Sequence, residues 1–269
     1  MFTPFLKEDN FLNREPFVKD EVRFNVMHRI AAGDLAIGVK HEDKLLALQT
    51  PNRPMMIWVN NSLSRADWQQ ALTGLIEYIK PESINGVMAE PDMALYFAQK
   101  YSADYNLNYE CRMNLMSYHC LKVINPTVDS GNMRLAAAQD LNTVVEFRVA
   151  YIRETLDKEV EADSQIEIAR KQIDSNRLYV WETAAGLVSM AYITHVSQRH
   201  SRISCVYTPP AARCQGYAGS LVAQLCSKIL QSDSTPVLFT NLRNPVSNHV
   251  YKKIGFTECG PIDEIYFVS

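Results

Sequence analysis

One stretch decides the fold of this chain: Ser204-Cys-Val-Tyr-Thr-Pro-Pro-Ala-Ala-Arg213-Cys-Gln-Gly216-Tyr-Ala218-Gly-Ser220, followed directly by Leu221-Val-Ala-Gln-Leu-Cys-Ser-Lys-Ile-Leu230. Its β-branched and aromatic residues predict a short strand from Ser204 to Thr208, which the next two prolines would end. Apolar residues then recur at spacings of one and four, which predicts an amphipathic helix of about three turns that starts near residues 218–220. The stretch therefore predicts a strand, a loop that contains glycine, and a helix.

Small residues, Gly216, Ala218 and Gly219, lie at the predicted start of this helix. The backbone N–H groups of a first turn have no partner within the helix, and the helix dipole is positive there. Small side chains would let an anionic ligand approach those donors, and Arg213 adds a positive charge beside them. Neither the G-x-x-x-x-G-K-S/T pattern nor the G-x-G-x-x-G pattern is present. The sequence thus predicts a phosphate-binding loop of another kind.

Two segments identify a family that the chain resembles. Arg213-Cys-Gln-Gly216-Tyr-Ala218 resembles the Q/R-x-x-G-x-G/A pyrophosphate loop of the GNAT superfamily of acyl-CoA N-acyltransferases. About thirty residues later, Asn244-Pro-Val-Ser-Asn248-His-Val-Tyr251-Lys-Lys-Ile-Gly255-Phe256 resembles N-x-x-S/A-x-x-x-Y-x-K/R-x-G-F/Y, the segment that follows the fifth strand in GNAT enzymes. The resemblance covers residues 131–269.

The resemblance implies an α/β (α+β) chain built of two lobes. Residues 131–269 are expected to form a GNAT domain, in which helices flank a mixed, mostly antiparallel central sheet. The order of predicted elements in residues 1–125 resembles a degenerate copy of that domain. Where the copy should hold a phosphate loop, residues 59–67 contain no glycine and place Asp67 at a helix start, where it would repel phosphate. We expect this half not to bind CoA, and the polar residues 125–132 predict a linker.

The composition argues against several other classes of protein. A net charge of -3 and a pI near 6.1 give no bulk attraction to nucleic acid or acidic lipid. The six cysteines are scattered, with no C-x-x-C and no paired histidine spacing, so neither a metal site nor a disulfide framework is expected. The sequence has no stretch of about 18 apolar residues for a membrane span, and its first residues do not resemble a secretory signal. We expect a cytoplasmic protein.

The resemblance also implies roles for individual residues. In GNAT enzymes a backbone donor of the fourth strand polarises the thioester carbonyl, which here points to Val206 and Thr208, with Tyr207 between them. Tyr251 falls where the family places the acid that protonates the leaving thiolate. Asn244 is expected to cap its helix, and Asn248 to contact the pantetheine arm. The residues expected to bind the cosubstrate are Val206, Tyr207, Thr208, Arg213, Cys214, Gln215, Gly216, Tyr217, Ala218, Gly219, Ser220, Asn244 and Asn248.

The base that accepts the proton of the amine has two candidates in the sequence, Glu182 and His195, on adjacent predicted strands that lead to the site. Ordered water is the competing option. A shift of register by one residue would turn either side chain to the other face of the sheet. A ping-pong route through Cys214 is the less favoured mechanism, because no base is predicted beside it.

These assignments imply an N-acetyltransferase (EC 2.3.1.-) that moves an acetyl or other acyl group from acetyl-CoA to a primary amine. The amine belongs to a small molecule or peptide, attack is direct within a ternary complex, and no metal takes part. We expect a monomer or a homodimer. Two alternatives remain open: a non-catalytic acyl-CoA-binding or regulatory protein, and a protein-interaction module in which both lobes are structural.

Overall fold

The computed structural model describes residues 1–79, 84–126 and 130–268. Residues 127–129 of the predicted linker lie outside the described part, as does Ser269 at the end of the predicted C-terminal domain. In chain order, the helices and strands are β1 (Phe2–Pro4), α1 (Phe17–Phe24), α2 (Val26–Ala32), β2 (Ile37–His41), β3 (Leu45–Gln49), β4 (Met55–Val59), α3 (Arg65–Tyr78), β5 (Gly86–Ala89), α4 (Pro91–Tyr105), β6 (Asn108–His119), β7 (Asn132–Leu135), α5 (Leu141–Leu156), α6 (Ala162–Asp174), β8 (Leu178–Thr183), β9 (Gly186–Val196), β10 (His200–Tyr207), α7 (Tyr217–Leu230), β11 (Thr235–Asn241), α8 (Pro245–Ile254) and β12 (Thr257–Val268).

Contacts divide the chain into two compact units. Unit 1 consists of Met1–Tyr118, Phe239–Asn244 and Glu258–Ser269, and unit 2 consists of His119–Leu238 and Pro245–Thr257. The predicted domains, 1–125 and 131–269, run along the chain without interruption. In the structure, the C-terminal strand β12 instead pairs antiparallel with β5 in unit 1, from Asp263↔Ala89 to Tyr266↔Gly86.

Unit 1 is a sheet with the strand order β1-β2-β3-β4-β5-β12-β6. Its strands β3 and β4 are buried along their whole length, because alternate residues face two different helical layers. Leu45 and Ile57 pack with residues of α3 and α4, whereas Leu46 and Trp58 pack with residues of α1 and α2. Burial on both faces accounts for the nearly continuous apolar runs of these strands.

Unit 2 is a sheet with the strand order β11-β10-β9-β8-β7, in which β10 and β11 are parallel and the other neighbouring pairs are antiparallel. Helices α5 and α6 share one core with β8, β9 and β10, which contains Val144, Val180 and Met190. Helix α7 packs on the same strands, but its buried residues, such as Leu225, do not belong to that core. The helices α5 and α6 therefore cover one face and α7 the other. The predicted mixed, mostly antiparallel sheet flanked by helices is confirmed.

A cluster of charged side chains ties β7, β8 and the start of α5 together. The Arg134 guanidinium donates to the two carboxylate oxygens of Asp140, at 2.6 and 2.9 Å, and to both of Glu182, at 2.8 Å each. Asp140 also accepts a hydrogen bond from the backbone N–H of Ala137, at 2.7 Å. The hydrogen bonds from Arg134 lower the pKa of both carboxyl groups.

Replacing Arg134 with methionine should lower the free energy of unfolding at neutral pH and have almost no effect at about pH 2. The pKa of Asp140 is held below its free value of 3.8, so its stabilisation is present above that value and is lost as the pH falls through the folded-state pKa. Urea unfolding at both pH values measures the difference. Arg170→Met is the control, because Arg170 is an exposed residue that pairs with Glu167 one turn away. An equal loss at both pH values would contradict this account.

Gly255 ends α8 at φ +107°, and a Cβ there would lie 2.2 Å from the carbonyl oxygen of Lys122. Gly255→Ala should therefore lower the free energy of unfolding by about 3 kcal/mol, measured by urea denaturation. Gly186→Ala is the matched control, because Gly186 has φ +105° but no described atom lies within 4 Å of the added Cβ. Backbone strain alone should cost the control about 1 kcal/mol. Equal losses in the two variants would show that the clash at Gly255 is relieved without cost.

Candidate functional site

The parallel ladder between β10 and β11 is short. It consists of His200↔Thr235, Ser201↔Pro236 and Arg202↔Val237. Strand β10 continues to Tyr207 beyond the last of these pairs. Within unit 2 the two strands are thus joined at their first residues, and backbone groups of β10 become available from Ile203 onward.

A bulge interrupts β10 in the same region. Ser204 pairs with Tyr192 and Tyr207 pairs with Met190, so two residues of β10, Cys205 and Val206, stand opposite one residue of β9. Cys205 has the left-handed value φ +50°. A bulge removes its residues from the regular hydrogen-bond ladder, and bulges are common beside active sites. The bulge therefore lies where the sequence predicted a backbone donor, at Val206.

Tyr207 and Thr208 are held by their own hydrogen bonds. The Tyr207 phenol donates to Glu154, at 3.0 Å, and its carbonyl accepts from the Ser189 hydroxyl, also at 3.0 Å. The Thr208 carbonyl accepts from Nε of Arg213, at 2.9 Å. These bonds fix the path of the chain where it leaves β10 and enters the loop.

Arg213 lies at the mouth of that loop and is about half-exposed. Its Nη2 atom donates to Oε2 of Glu154, at 2.5 Å, and its guanidinium lies 5.8 Å from the ring centroid of Tyr207. Glu154 balances part of the positive charge. The arginine therefore anchors the loop as well as contributing a cation.

The loop delivers the chain to the start of α7 through two residues with positive φ. Cys214 has φ +61°, and Gly216, the N-cap residue, has φ +82°. Because Gly216 turns the chain sharply, α7 begins at Tyr217 and not at 218–220. Gln215 and Tyr217 hydrogen-bond each other at 2.9 Å on the exposed side, and Ala218 follows in the first turn.

No side chain caps α7, so its first N–H groups remain available. The Ser220 hydroxyl is buried, with 4% of the residue exposed, and has no hydrogen-bond partner in the described part of the chain. Ser220 also lines a cavity of about 540 Å³ that follows α7 towards Lys228. A Cβ at Gly219 would meet Pro126 at 3.7 Å, which is ordinary contact. The start of α7 is thus a set of unused donors of the kind that anions occupy.

The equivalent helix start in unit 1 is occupied. The Ser64 hydroxyl accepts a hydrogen bond from the backbone N–H of Asp67, at 3.2 Å, and donates to the Asp67 carboxylate, at 2.6 Å. A capped first turn that carries a carboxylate repels a further anion. This geometry supports the expectation that unit 1 does not bind CoA.

Helix α8 carries Tyr251, which is 8% exposed and packs edge-on against Phe256 with ring centroids 5.7 Å apart. Burial, and then the neighbouring Cys226 of α7, raise the pKa of the phenol. The phenol also interacts electrostatically with Tyr151 of α5.

The two asparagines of the second segment lie on either side of the start of α8. Asn248 is a partly exposed residue within the helix. Asn244 precedes the helix, is exposed, and belongs to unit 1 by its contacts, where its backbone N–H donates to the Asn241 carbonyl at 2.9 Å. The predicted contacts of both residues with the cosubstrate stay predictions.

The two candidate bases lie apart from the bulge. Glu182 is on β8, with both oxygens bound by Arg134, and its lowered pKa makes it a weaker base. His195 is on β9 and pairs with Arg202 of β10. Arg202 precedes the bulge residue Cys205 by three residues, so His195 lies about 10 Å from the bulge along the strand. Neither is brought to the point where β10 opens.

Sequence reasoning missed two residues near the bulge, Arg148 and Tyr151 of α5. Both lie on the helical face that also presents Val144 and Phe147 to the core. A charged residue in the middle of an apolar stripe is the signal that could have identified Arg148.

The described residues contain neither a metal site nor a membrane-spanning helix. Within residues 1–79, 84–126 and 130–268, no group of His, Cys, Asp and Glu residues is arranged to hold a metal ion. None of the described helices combines the length and apolar character needed to cross a membrane.

Comparisons with known proteins agree on the fold. Residues 185–268 match the family model described as FR47-like protein, and no curated protein sequence matches the chain. A solved acetyltransferase of the GNAT family from Colwellia psychrerythraea is 12% identical, with a TM-score of 0.59 and coverage of 99% of both chains. A GCN5-related N-acetyltransferase from Sphaerobacter thermophilus is 10% identical, with a TM-score of 0.64 and coverage of 99% of this chain and 94% of that one. A GCN5-related N-acetyltransferase from Kribbella flavida is 11% identical, with a TM-score of 0.60 and coverage of 92% and 93%.

At such low identities the likeness to solved structures establishes the fold and leaves the reaction open. The match to the FR47-like model contains β9, β10, the loop, α7 and α8, which are the elements that build the candidate site. This chain is therefore a GNAT-fold protein, as its two characteristic segments predicted.

Proposed function

We propose that this chain transfers an acetyl group from acetyl-CoA to a primary amine, by direct attack within a ternary complex. One observation carries the proposal: β10 leaves its ladder with β11 after Arg202↔Val237, and the uncapped start of α7 follows in the same chain direction. A slot beside a strand, followed by a helix N-terminus, can hold an extended thioester arm and the phosphates attached to it.

The start of α7 would bind the pyrophosphate. The first-turn N–H groups, from Tyr217 to Gly219, point along the helix axis and have no partner within the helix. Gly216 leaves room for the phosphate oxygens, and the buried Ser220 hydroxyl is a further donor without a partner in the described chain. Arg213 supplies charge at the rim.

The bulge of β10 would bind the thioester. A backbone N–H in the bulge, at Val206, can donate to the carbonyl oxygen and stabilise the negative charge that forms there when the amine attacks. The amine nitrogen forms a bond to the carbonyl carbon, the C–S bond then breaks, and the amine loses one proton. Fixed backbone donors cost no reorganisation during this step.

Tyr251 would protonate the departing thiolate. Burial raises the pKa of this phenol, so it is protonated throughout the physiological range but is a weak acid, and collapse of the tetrahedral intermediate has to drive its proton onto the less basic thiolate. Ordered water takes the proton of the amine in this scheme. Glu182 is left out because Arg134 already occupies both of its oxygens, and His195 because it lies about 10 Å along the sheet.

A calorimetric titration of the full chain with acetyl-CoA, followed by an assay of acetyl transfer to a panel of amines, tests the proposal. One site per chain together with transfer supports it. Binding without transfer to any amine would favour the non-catalytic alternative, and no binding would reject both.

Gly216→Glu should lower the affinity for acetyl-CoA at least ~100-fold, because a carboxylate would occupy the position of the phosphate. Calorimetry measures the change. Gly186→Glu is the matched control: it adds the same side chain at another glycine with positive φ, φ +105°, in an open turn. Unchanged affinity in Gly216→Glu would reject the start of α7 as the binding site.

Tyr251→Phe should lower kcat by about 100-fold while the affinity for acetyl-CoA is kept, because it removes a proton donor and little volume. Steady-state kinetics and calorimetry measure the two quantities. Tyr179→Phe is the control, since Tyr179 is another buried tyrosine of unit 2, on β8. Wild-type turnover in Tyr251→Phe would remove this phenol from the mechanism.

A further inference from the structure

Arg148 is a buried cation in the core of unit 2. It is 9% exposed and lies one turn before Tyr151 on the face of α5 that packs against β9 and β10. Its Nη1 atom donates to Oε1 of Gln172, at 2.7 Å, and its Nη2 atom to Oε1 of Gln165, at 2.9 Å. Both glutamines are on α6 and are themselves buried.

The charge of Arg148 has no counter-ion in the described part of the chain. Its hydrogen-bond acceptors are two neutral amides, and the titratable groups that interact with it are one thiol, Cys205, and two phenols, Tyr151 and Tyr192, with no carboxylate among them. Burial lowers the pKa of the guanidinium, which means that its charged form is destabilised there. An unpaired buried ion is destabilising, so an anion that reached it would be bound favourably.

One edge of the guanidinium also has an unused donor. Its Nε atom is buried and makes no hydrogen bond to any described residue. The Nε–H and a terminal N–H of arginine form a planar fork that matches the two oxygens of a carboxylate. The two glutamines hold the terminal nitrogens and so fix the direction of the fork.

Arg148 is adjacent to the place where the acyl group would be transferred. Cys205, with which it interacts, is a residue of the bulge in β10. Cys205, Tyr151 and Tyr192 are each partly exposed, so their side is the one from which a small molecule would approach. A carboxylate held by Arg148 would place the rest of its molecule beside the bulge.

We propose that Arg148 binds a carboxylate of the acyl acceptor, so that the acceptor is an amino acid or a related amine that bears a carboxylate. That the bound molecule is the acyl acceptor rests on the proposed function. That Arg148 binds a carboxylate rests on the buried guanidinium alone. A polyamine or another purely cationic amine does not fit beside this charge.

The direct test observes the Nε–H group itself. In 15N-labelled protein, the Arg148 Nε–H signal is assigned by its loss in Arg148→Lys, and the common L-amino acids and their carboxamides are added in turn. At least one amino acid should shift the signal saturably while its carboxamide does not. If no amino acid shifts the signal, or if the carboxamides shift it equally, the proposal is overturned.

Gln172→Glu separates recognition from a structural role. This nearly isosteric change gives Arg148 a counter-ion within the chain, so it should raise Tm. It should also lower the preference for the amino acid over its carboxamide in kcat/KM from on the order of 100-fold towards unity. The pair selected by the titration is used, and Gln172→Met is the uncharged control. A higher Tm with an unchanged preference would show that the network is structural.

Failure of this proposal differs from failure of the proposed function. Transfer to amines with no preference for a carboxylate would reject the role of Arg148 and keep the acetyltransferase. A saturable shift at Arg148 in a protein that does not bind acetyl-CoA would reject the acetyltransferase and keep the anion site. An amino acid that titrates Arg148 but is never acetylated would overturn the acceptor assignment.

Discussion

The end of the ladder between β10 and β11 is the constraint on which the rest of the candidate site depends. Backbone groups that leave a ladder must find other partners, because a buried N–H or C=O without one costs free energy. Beyond Arg202 the Ser189 hydroxyl pairs with the Tyr207 carbonyl, and a polar ligand can pair with backbone groups that β11 no longer reaches. The bulge at Cys205 and Val206 increases the number of backbone groups that need another partner, since its residues also leave the ladder with β9. The backbone of β10 can thus hydrogen-bond a polar chain such as a pantetheine arm.

Helix α7 follows β10 in the chain, and the N–H groups of its first turn have no side-chain cap. At the start of α3, the Ser64 side chain at the N-cap accepts a hydrogen bond from the first turn. Gly216 cannot do this, and no side chain replaces it. The two helix starts differ by a hydroxyl and a carboxylate, and this difference favours an anion at the start of α7 and disfavours one at the start of α3.

The arginines of unit 2 illustrate how context assigns a role to one residue type. Arg134 is neutralised by Asp140 and Glu182, and Arg213 by Glu154, so both contribute to the order of the chain around them. Arg148 is more deeply buried and is held by two amides. Neutral partners orient a guanidinium without cancelling its charge, which leaves its charge available to an anion from outside.

The sequence by itself determined the local parts of this protein. Glycine at 216, the small residues after it and the apolar spacing of α7 specify a loop and a helix start because turn and helix preferences act over a few residues. Tertiary structure decided the rest, because strand pairing and buried contacts join residues that are distant in sequence and leave no local pattern. It brought β12 back to β5 and paired Glu182 with Arg134. In the sequence, Arg148 is one charge on an otherwise apolar helix face. Tertiary structure placed it between two glutamines of another helix, where it has no counter-ion within the described chain.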